Sequence, residues 1–177
     1  FKSLVFEGFK KVATERPDLP LALLVDPQYG ADILQDSAYA SYSVGAPIEQ
    51  AGSYPVEWLC GEELHEHLLS RPSEWFIKVL WHYHTDLPAA EKERQLIQLK
   101  RLEEICQLLD RRLMLELILP AHLSQDGNAM AAAIDEVYEA QITPFWWKIM
   151  ALDTKMEWQH VTAALDRHDS EAGIIVL

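Results

Sequence analysis

The sequence predicts an α/β fold, a parallel sheet whose strands are joined by crossover helices. Two observations lead there. Short apolar runs of strand length alternate along the chain with longer segments patterned at helical spacing. Those short runs are apolar at consecutive positions, as in strands covered on both faces. A third supports them: of 177 residues, 49% are hydrophobic and 24% charged, enough apolar material for one sizeable core. The length suggests one domain.

The chain opens inside a helix. Phe1, Leu4, Val5, Phe9 and Val12 recur at helical spacing, with Lys2, Lys10 and Lys11 off that face. No cap precedes Phe1, so earlier residues are expected ahead of it. Pro17 and Pro20 end this helix. Residues 21–25, Leu-Ala-Leu-Leu-Val, form the first strand. A turn at Asp26-Pro27-Gln28-Tyr29-Gly30 leads into a short helix through about Ala40.

A weaker strand covers Val44 to Glu49, and Gly52, Ser53 and Pro55 mark a loop. Gly61 to Ser70 reads as a helix. Trp75 to Trp81 is an aromatic and β-branched strand. A long helix follows, with Leu96, Leu99, Leu102, Ile105 and Leu109 on one face and charges opposite. Leu113 to Leu119 is the next buried run, stopped by Pro120. Ala129 to Ala140 is helical, Phe145 to Met150 a strand, Thr154 to Arg167 helical, and Ile174 to Leu177 a final strand.

Six strands thus follow an initial helix, in the alternation that means a parallel sheet. An open doubly wound sheet and a closed barrel both satisfy this order. No glycine-rich turn follows the first strand, so a dinucleotide-binding fold has no support. No internal repeat or low-complexity stretch is present.

Fifteen basic residues against 28 acidic ones give a net charge of −13. Such a surface repels phosphate backbones and anionic lipid, so neither nucleic acid nor membrane is an expected partner. A phosphorylated substrate stays possible, because a local pocket can be positive on an acidic protein. Cys60 and Cys106 form no CxxC and no metal-like spacing, and both read as buried free thiols. No stretch reads as a signal peptide or an apolar span. A cytoplasmic location is expected.

The informative residues are ionisable groups inside apolar strands. Lys78, Glu116 and Lys148 each interrupt a run that otherwise demands burial. Alternation puts Lys78 with Leu80 and His82, Glu116 with Met114 and Ile118, and Lys148 with Trp146 and Met150. In a barrel, one face of every strand points at the central axis and the C-terminal strand ends line the active site. The three groups would then converge and satisfy one another. An amine attacks a ketone only when neutral, and burial or a neighbouring cation favours that form. One lysine can be a Schiff-base nucleophile and the other the cation beside it. Glu116 can shuttle protons or fix the amine, and Asp26 adds a carboxylate at the same rim. The plainer reading is an ion pair between Lys78 and Glu116 on neighbouring strands, with Lys148 snorkelling outward past Trp146.

Histidines offer a weaker signal. His65 and His67 flank Glu66 on a helix and do not share a face. His82 and His84 share a face if the strand continues, which leaves a two-histidine metal site open. Tyr83 and His84 otherwise belong to a loop wall. Trp75, Trp81, Trp146 and Trp147 read as core and sheet-to-helix packing.

Several segments carry a resemblance. Residues 23–30, Leu-Leu-Val-Asp-Pro-Gln-Tyr-Gly, resemble the second-strand segment of the class I tagatose-bisphosphate aldolases. Ile77 to Leu80 with Tyr83 resembles their fourth-strand lysine segment, Leu115-Glu116 their fifth-strand glutamate, and Trp147-Lys148-Ile149 the sixth-strand segment bearing the Schiff-base lysine. A closer resemblance is to the barrel domain fused behind 5-dehydro-2-deoxygluconokinase in bacterial inositol catabolism. It rests on Asp26 to Gly30, Pro47-Ile48-Glu49, Trp75 to Tyr83, Leu115 to Ile118 and Pro144 to Lys148. No kinase-like glycine motif occurs here.

This resemblance implies a (β/α)8 TIM barrel, incomplete in this chain: residues 1–177 form one aldolase-like domain, with a strand expected before Phe1 and another after Leu177. A complete barrel needs roughly 250 residues. The implied reaction is class I cleavage of a phosphorylated keto-sugar acid, 5-dehydro-2-deoxygluconate 6-phosphate, to dihydroxyacetone phosphate and malonate semialdehyde. Lys148 is the implied nucleophile, Lys78, Glu116 and Asp26 its catalytic neighbours, and Glu49 and His82 substrate-binding residues. No cofactor or metal is implied. Met150 departs from the pattern, standing where those relatives carry a glutamate. Two further readings follow from the same residues: a non-catalytic barrel that docks to or regulates a sugar kinase, and a metal-dependent aldolase using His82 and His84.

Overall fold

A computed structural model describes residues 2–36 and 42–177. The expected helix start at Phe1 and helix end at Ala40 lie outside the described residues. The elements are α1 (Lys2–Glu15), β1 (Ala22–Leu24), α2 (Pro27–Asp36), β2 (Ser43–Pro47), α3 (Leu64–Leu69), β3 (Phe76–His82), α4 (Ala89–Leu108), β4 (Leu113–Ile118), α5 (Gly127–Glu139), β5 (Trp146–Ile149), α6 (Lys155–Arg167) and β6 (Gly173–Val176).

All strand pairs are parallel, and the strands lie side by side in chain order from β1 to β6. A doubly wound sheet requires the order to reverse at a switch point. Here it never reverses, and right-handed crossovers then keep the connecting helices on one face. The sheet curls into a half-barrel, compatible with part of a β/α barrel.

The two faces differ in chemistry. Ile77, Val79, Trp81, Leu115, Leu117, Trp147 and Ile149 are fully buried and belong to one continuous core. They alternate with the inward set, which the register arranges in rows. Pro47, Lys78, Met114, Trp146 and Gly173 are level with one another. Leu80, Glu116, Lys148 and Ile175 form the next row toward the C-terminal strand ends. Below the Glu116 and Lys148 row, Phe76 and Trp146 meet edge to face at 5.3 Å and floor the half-barrel. Small residues make room for these rings. A Cβ on Gly45 would lie 2.1 Å from the Phe76 ring, and one on Gly173 would lie 2.8 Å from Trp146.

The last three helices end alike. Asp110, Gln141 and Asp169 each take a positive φ, of 52°, 59° and 47°. The next residue's amide then bonds back across the final turn: Arg111 to the Cys106 carbonyl, Ile142 to Val137 and Ser170 to Leu165. This repeated Schellman closure returns the chain to the sheet. Caps start the helices. The Asp126 carboxylate accepts from the Asn128 and Ala129 amides, and Thr154 with Glu157 forms a reciprocal capping box.

Several elements differ from expectation. In α1 the buried residue is Phe6, while Leu4, Val5 and Val12 are exposed, because the helix rests on α2 and β1 through Phe6 and Phe9. Leu24 of β1 is also exposed, since among the described residues β1 pairs only with β2 at the sheet edge. The helix expected from Gly61 begins only at Leu64, because Gly61 takes a turn conformation with φ 60°. The buried stripe of α4 carries Gln95 and Glu103 beside Leu99, Leu102 and Cys106. Glu103 is accommodated by accepting from the Thr143 hydroxyl at 2.9 Å and the Gln107 amide at 3.0 Å. Cys106 is buried as expected, and burial pushes its thiol up to about 12, but Cys60 is only half-buried. Among the described residues no helix is long and apolar enough to cross a membrane.

Two stability measurements check this packing. Gly45→Ala is expected to lower the urea unfolding free energy by about 1–3 kcal/mol, because the Phe76 ring is held against Trp146 and cannot yield freely. Gln141→Gly removes the left-handed penalty of a non-glycine residue, and should raise stability by about 1 kcal/mol.

Candidate active site

The inward face of β2 to β5 ends in an alternating chain of charges. β2 carries Gly45 and Pro47 inward, and the same alternation delivers Glu49 just beyond the strand. Its Oε1 lies 2.7 Å from the Lys78 Nζ. That ammonium also contacts Glu116 Oε2 at 2.7 Å. The other oxygen of Glu116, Oε1, accepts from the Lys148 Nζ at 2.9 Å. The order is therefore acid, base, acid, base across four neighbouring elements.

Exposure grades along this chain. The side chains of Glu49, Lys78 and Glu116 are 9%, 8% and 7% exposed, against 19% for Lys148. Lys78 is held by two carboxylates and Lys148 by one. Burial pushes the Glu116 carboxyl up, but the hydrogen bonds and charges of Lys78 and Lys148 outweigh it and hold it below its ordinary 4.5. Glu116 is accordingly a carboxylate at neutral pH.

Lys78, Glu116, Lys148 and Glu49 line a cavity of about 990 Å³, together with Pro27-Gln28 and the 50–53 turn. Those two segments follow β1 and β2, so the cavity opens at the C-terminal strand ends, where β/α barrels and parallel sheets bind ligands. The 50–53 turn belongs to a small hairpin. Glu49 bridges antiparallel to Trp58, the Gln50 amide bonds the Glu57 carbonyl at 2.7 Å, and Gly52 takes φ 77°. Arg71 secures its base by donating to the Pro47 carbonyl at 3.1 Å.

The structure thus brings together Lys78, Glu116, Lys148 and Glu49. Lys148 does not snorkel outward; it turns along the sheet to Glu116. Asp26 lines the same cavity, but among the described residues it forms no ion pair with Lys78 or Lys148. Its Oδ1 accepts from the Gln28 amide at 2.7 Å at the start of α2. His82 lies on the inward face beyond Leu80, yet it is not part of the cavity wall. Its ring meets Tyr54 edge to face at 6.0 Å. Burial lowers its pKa, with Glu116 opposing and Lys78 assisting, so the ring is neutral at pH 7.

Tyr83 and His84 lie in the loop after β3, as expected, but Tyr83 points away from the cavity. Tyr83 is fully buried on the helix side, stacked on Trp81 at 4.2 Å, with its hydroxyl donated to Glu136. His84 does not join His82 as a metal ligand. Its Nε2 faces the Ser124 carbonyl at 3.1 Å and its Nδ1 accepts from the Asp86 amide at 3.0 Å. The ion pair between Glu49 and Lys78 goes beyond the substrate-binding role expected of Glu49. Its signal is the alternation from Gly45 through Pro47, which places Glu49 on the Lys78 face.

The model of the family DUF2090, described as "Uncharacterized protein conserved in bacteria", matches residues 1–177, and the chain belongs to that family. A comparison with curated proteins finds none that matches.

Glu116 links stability to pH. Its folded-state pKa is depressed, so its contribution is complete above the ordinary 4.5 and is lost as pH falls through the lower folded value. Glu116→Gln should cost roughly 3 kcal/mol at pH 7, the scale of removing one partner from a buried pair. The gap from wild type should narrow below pH 4.5, as followed by urea unfolding at a series of pH values. A gap independent of pH contradicts this assignment.

Proposed function

We propose that this DUF2090 member is a class I, Schiff-base aldolase acting on a phosphorylated keto-sugar acid. One observation carries the reading: a part-exposed lysine, Lys148, shares the buried carboxylate of Glu116 with a second lysine, inside a cavity at the C-terminal strand ends.

Exposure favours Lys148 as nucleophile. Both lysines line the cavity, but Lys78 is held by two carboxylates, whereas Lys148 has one partner and is more exposed. In the proposed reaction the Lys148 ammonium gives a proton to Glu116, and the neutral amine that results attacks the ketone carbon of the substrate. The resulting carbinolamine loses water to form an iminium. The Glu116 carboxylate, re-formed when its proton leaves with that water, then takes the proton of the hydroxyl two carbons away, and the carbon–carbon bond breaks. Its electron pair moves toward the iminium nitrogen, giving an enamine and releasing an aldehyde. Protonation of the enamine and return of one water free the second product and Lys148. Glu116, hydrogen-bonded to Lys148, is the group for proton transfer at the nitrogen. Lys78 supplies a fixed positive charge for a substrate oxygen.

The substrate rests on resemblance. Asp26 to Gly30, Trp75 to Tyr83 and Pro144 to Lys148 are similar to segments of the barrel fused to 5-dehydro-2-deoxygluconokinase. They point to cleavage of 5-dehydro-2-deoxygluconate 6-phosphate into dihydroxyacetone phosphate and malonate semialdehyde.

Imine trapping tests the reading. The full chain is incubated with dihydroxyacetone phosphate and borohydride, and the adduct is located by peptide mapping. An adduct on Lys148 is the result foreseen, with Lys148→Arg folded but slower in cleavage by at least about a thousandfold. An adduct on Lys78 reverses the two lysines. No adduct, with a control aldolase labelled in parallel, rejects the chemistry in favour of a barrel that docks to a kinase.

A further inference from the structure

We infer that Glu49 is a positioning residue that acts through Lys78, and that it is not a substrate contact. This deepens the Schiff-base reading and rests on it.

Glu49 borders the cavity, but its firmest tie is to the protein. It is 9% exposed. Its Oε1 is engaged by the Lys78 ammonium at 2.7 Å, and its Oε2 lies 3.2 Å from the Ile48 amide, which is shared with the Lys78 carbonyl at 3.1 Å. Its backbone is fixed as well, by the bridge to Trp58 and by fully buried Ile48 on one side of it. A nearly buried carboxylate with one oxygen on an ammonium and its main chain pinned is built to hold something.

What it holds is the direction of an ammonium group. Lys78 has three N–H donors and no acceptor. Glu49 and Glu116 take two of them. Lys78 lines the cavity, so its third donor is left for a ligand oxygen there. Without Glu49 the ammonium could rotate about its remaining tie to Glu116, and its reach into the cavity would lose its fixed direction.

Charge balance gives the second reason. Glu49, Lys78, Glu116 and Lys148 sum to zero, which limits the cost of burying them. Neutralising Glu49 leaves two cations around Glu116 alone. An already depressed carboxyl is then held lower still, and Glu116 becomes a poorer base for the Lys148 proton. The Lys78–Glu116 tie keeps the ammonium at the cavity, so a positioning role slows imine formation more than it weakens ligand binding.

The experiment follows borohydride-trapped adduct on Lys148 in the full chain, with dihydroxyacetone phosphate as the probe. Maximal trapping rate and half-saturating concentration are measured for wild type, Glu49→Gln and Glu49→Asp. The expected result for Glu49→Gln is a maximal rate lower by about tenfold or more, with half-saturation changed less than about twofold. Glu49→Asp keeps the charge one methylene short and should recover part of the rate. If Glu49→Gln does not fold, Glu49→Asp is compared with wild type on the same two quantities. Raised half-saturation with an unchanged maximal rate overturns the inference and makes Glu49 a substrate contact. Unchanged values for both also overturn it. Those outcomes leave the wild-type adduct intact, whereas absence of that adduct defeats the Schiff-base reading itself.

Discussion

Everything distinctive about this half-barrel depends on one constraint: four charges, three of them buried, must sit side by side without leaving any of them alone. Glu49, Lys78, Glu116 and Lys148 meet it by alternating in sign across adjacent elements, with separations of 2.7, 2.7 and 2.9 Å. Each inner member touches two opposite charges, which makes burial tolerable at a depth where a lone ion would not be. The arrangement is possible only because the strands are parallel, adjacent in chain order and in register. A shift of one residue in β4 would turn Glu116 into the helix-covered core.

The surroundings keep that chain in place. Beneath it, Phe76 and Trp146 form a rigid floor, with Gly45 and Gly173 giving up their side chains to admit the rings. Outside it, the fully buried row from Ile77 to Ile149 ties the strands to their helices. On the open side, the turn at residues 50–53 and the start of α2 border the cavity. The gradient from closed Lys78 to more open Lys148 follows from this layout, and it separates the two lysines in the proposed chemistry.

Much of the architecture was legible because it is local. The apolar runs at β3, β4 and β5 are strands for the reason the sequence suggests: consecutive apolar residues suit a sheet covered on one side and filled on the other. Alternation also placed Lys78, Glu116 and Lys148 on the inward face correctly. Misreadings arose where neighbours decide. Tyr83 continues the buried side of β3 and finds Glu136 from α5, a partner 53 residues away. Leu4 and Val12 look like a core face, but α1 packs through Phe6. Glu103 looks solvent-facing on α4 until Thr143 and Gln107 are seen to satisfy it.

The sequence by itself determined the alternation of strands and helices, the parallel sheet, and the facing of three ionisable residues, because these follow from side-chain period and burial along one segment. Only the tertiary structure decided that Glu49 completes the charge chain, that Lys148 turns to Glu116 and not to solvent, that His82 stands beside the cavity wall and that His84 faces a backbone carbonyl. Those outcomes depend on distances between segments far apart in the chain, and no pattern within a single segment encodes them.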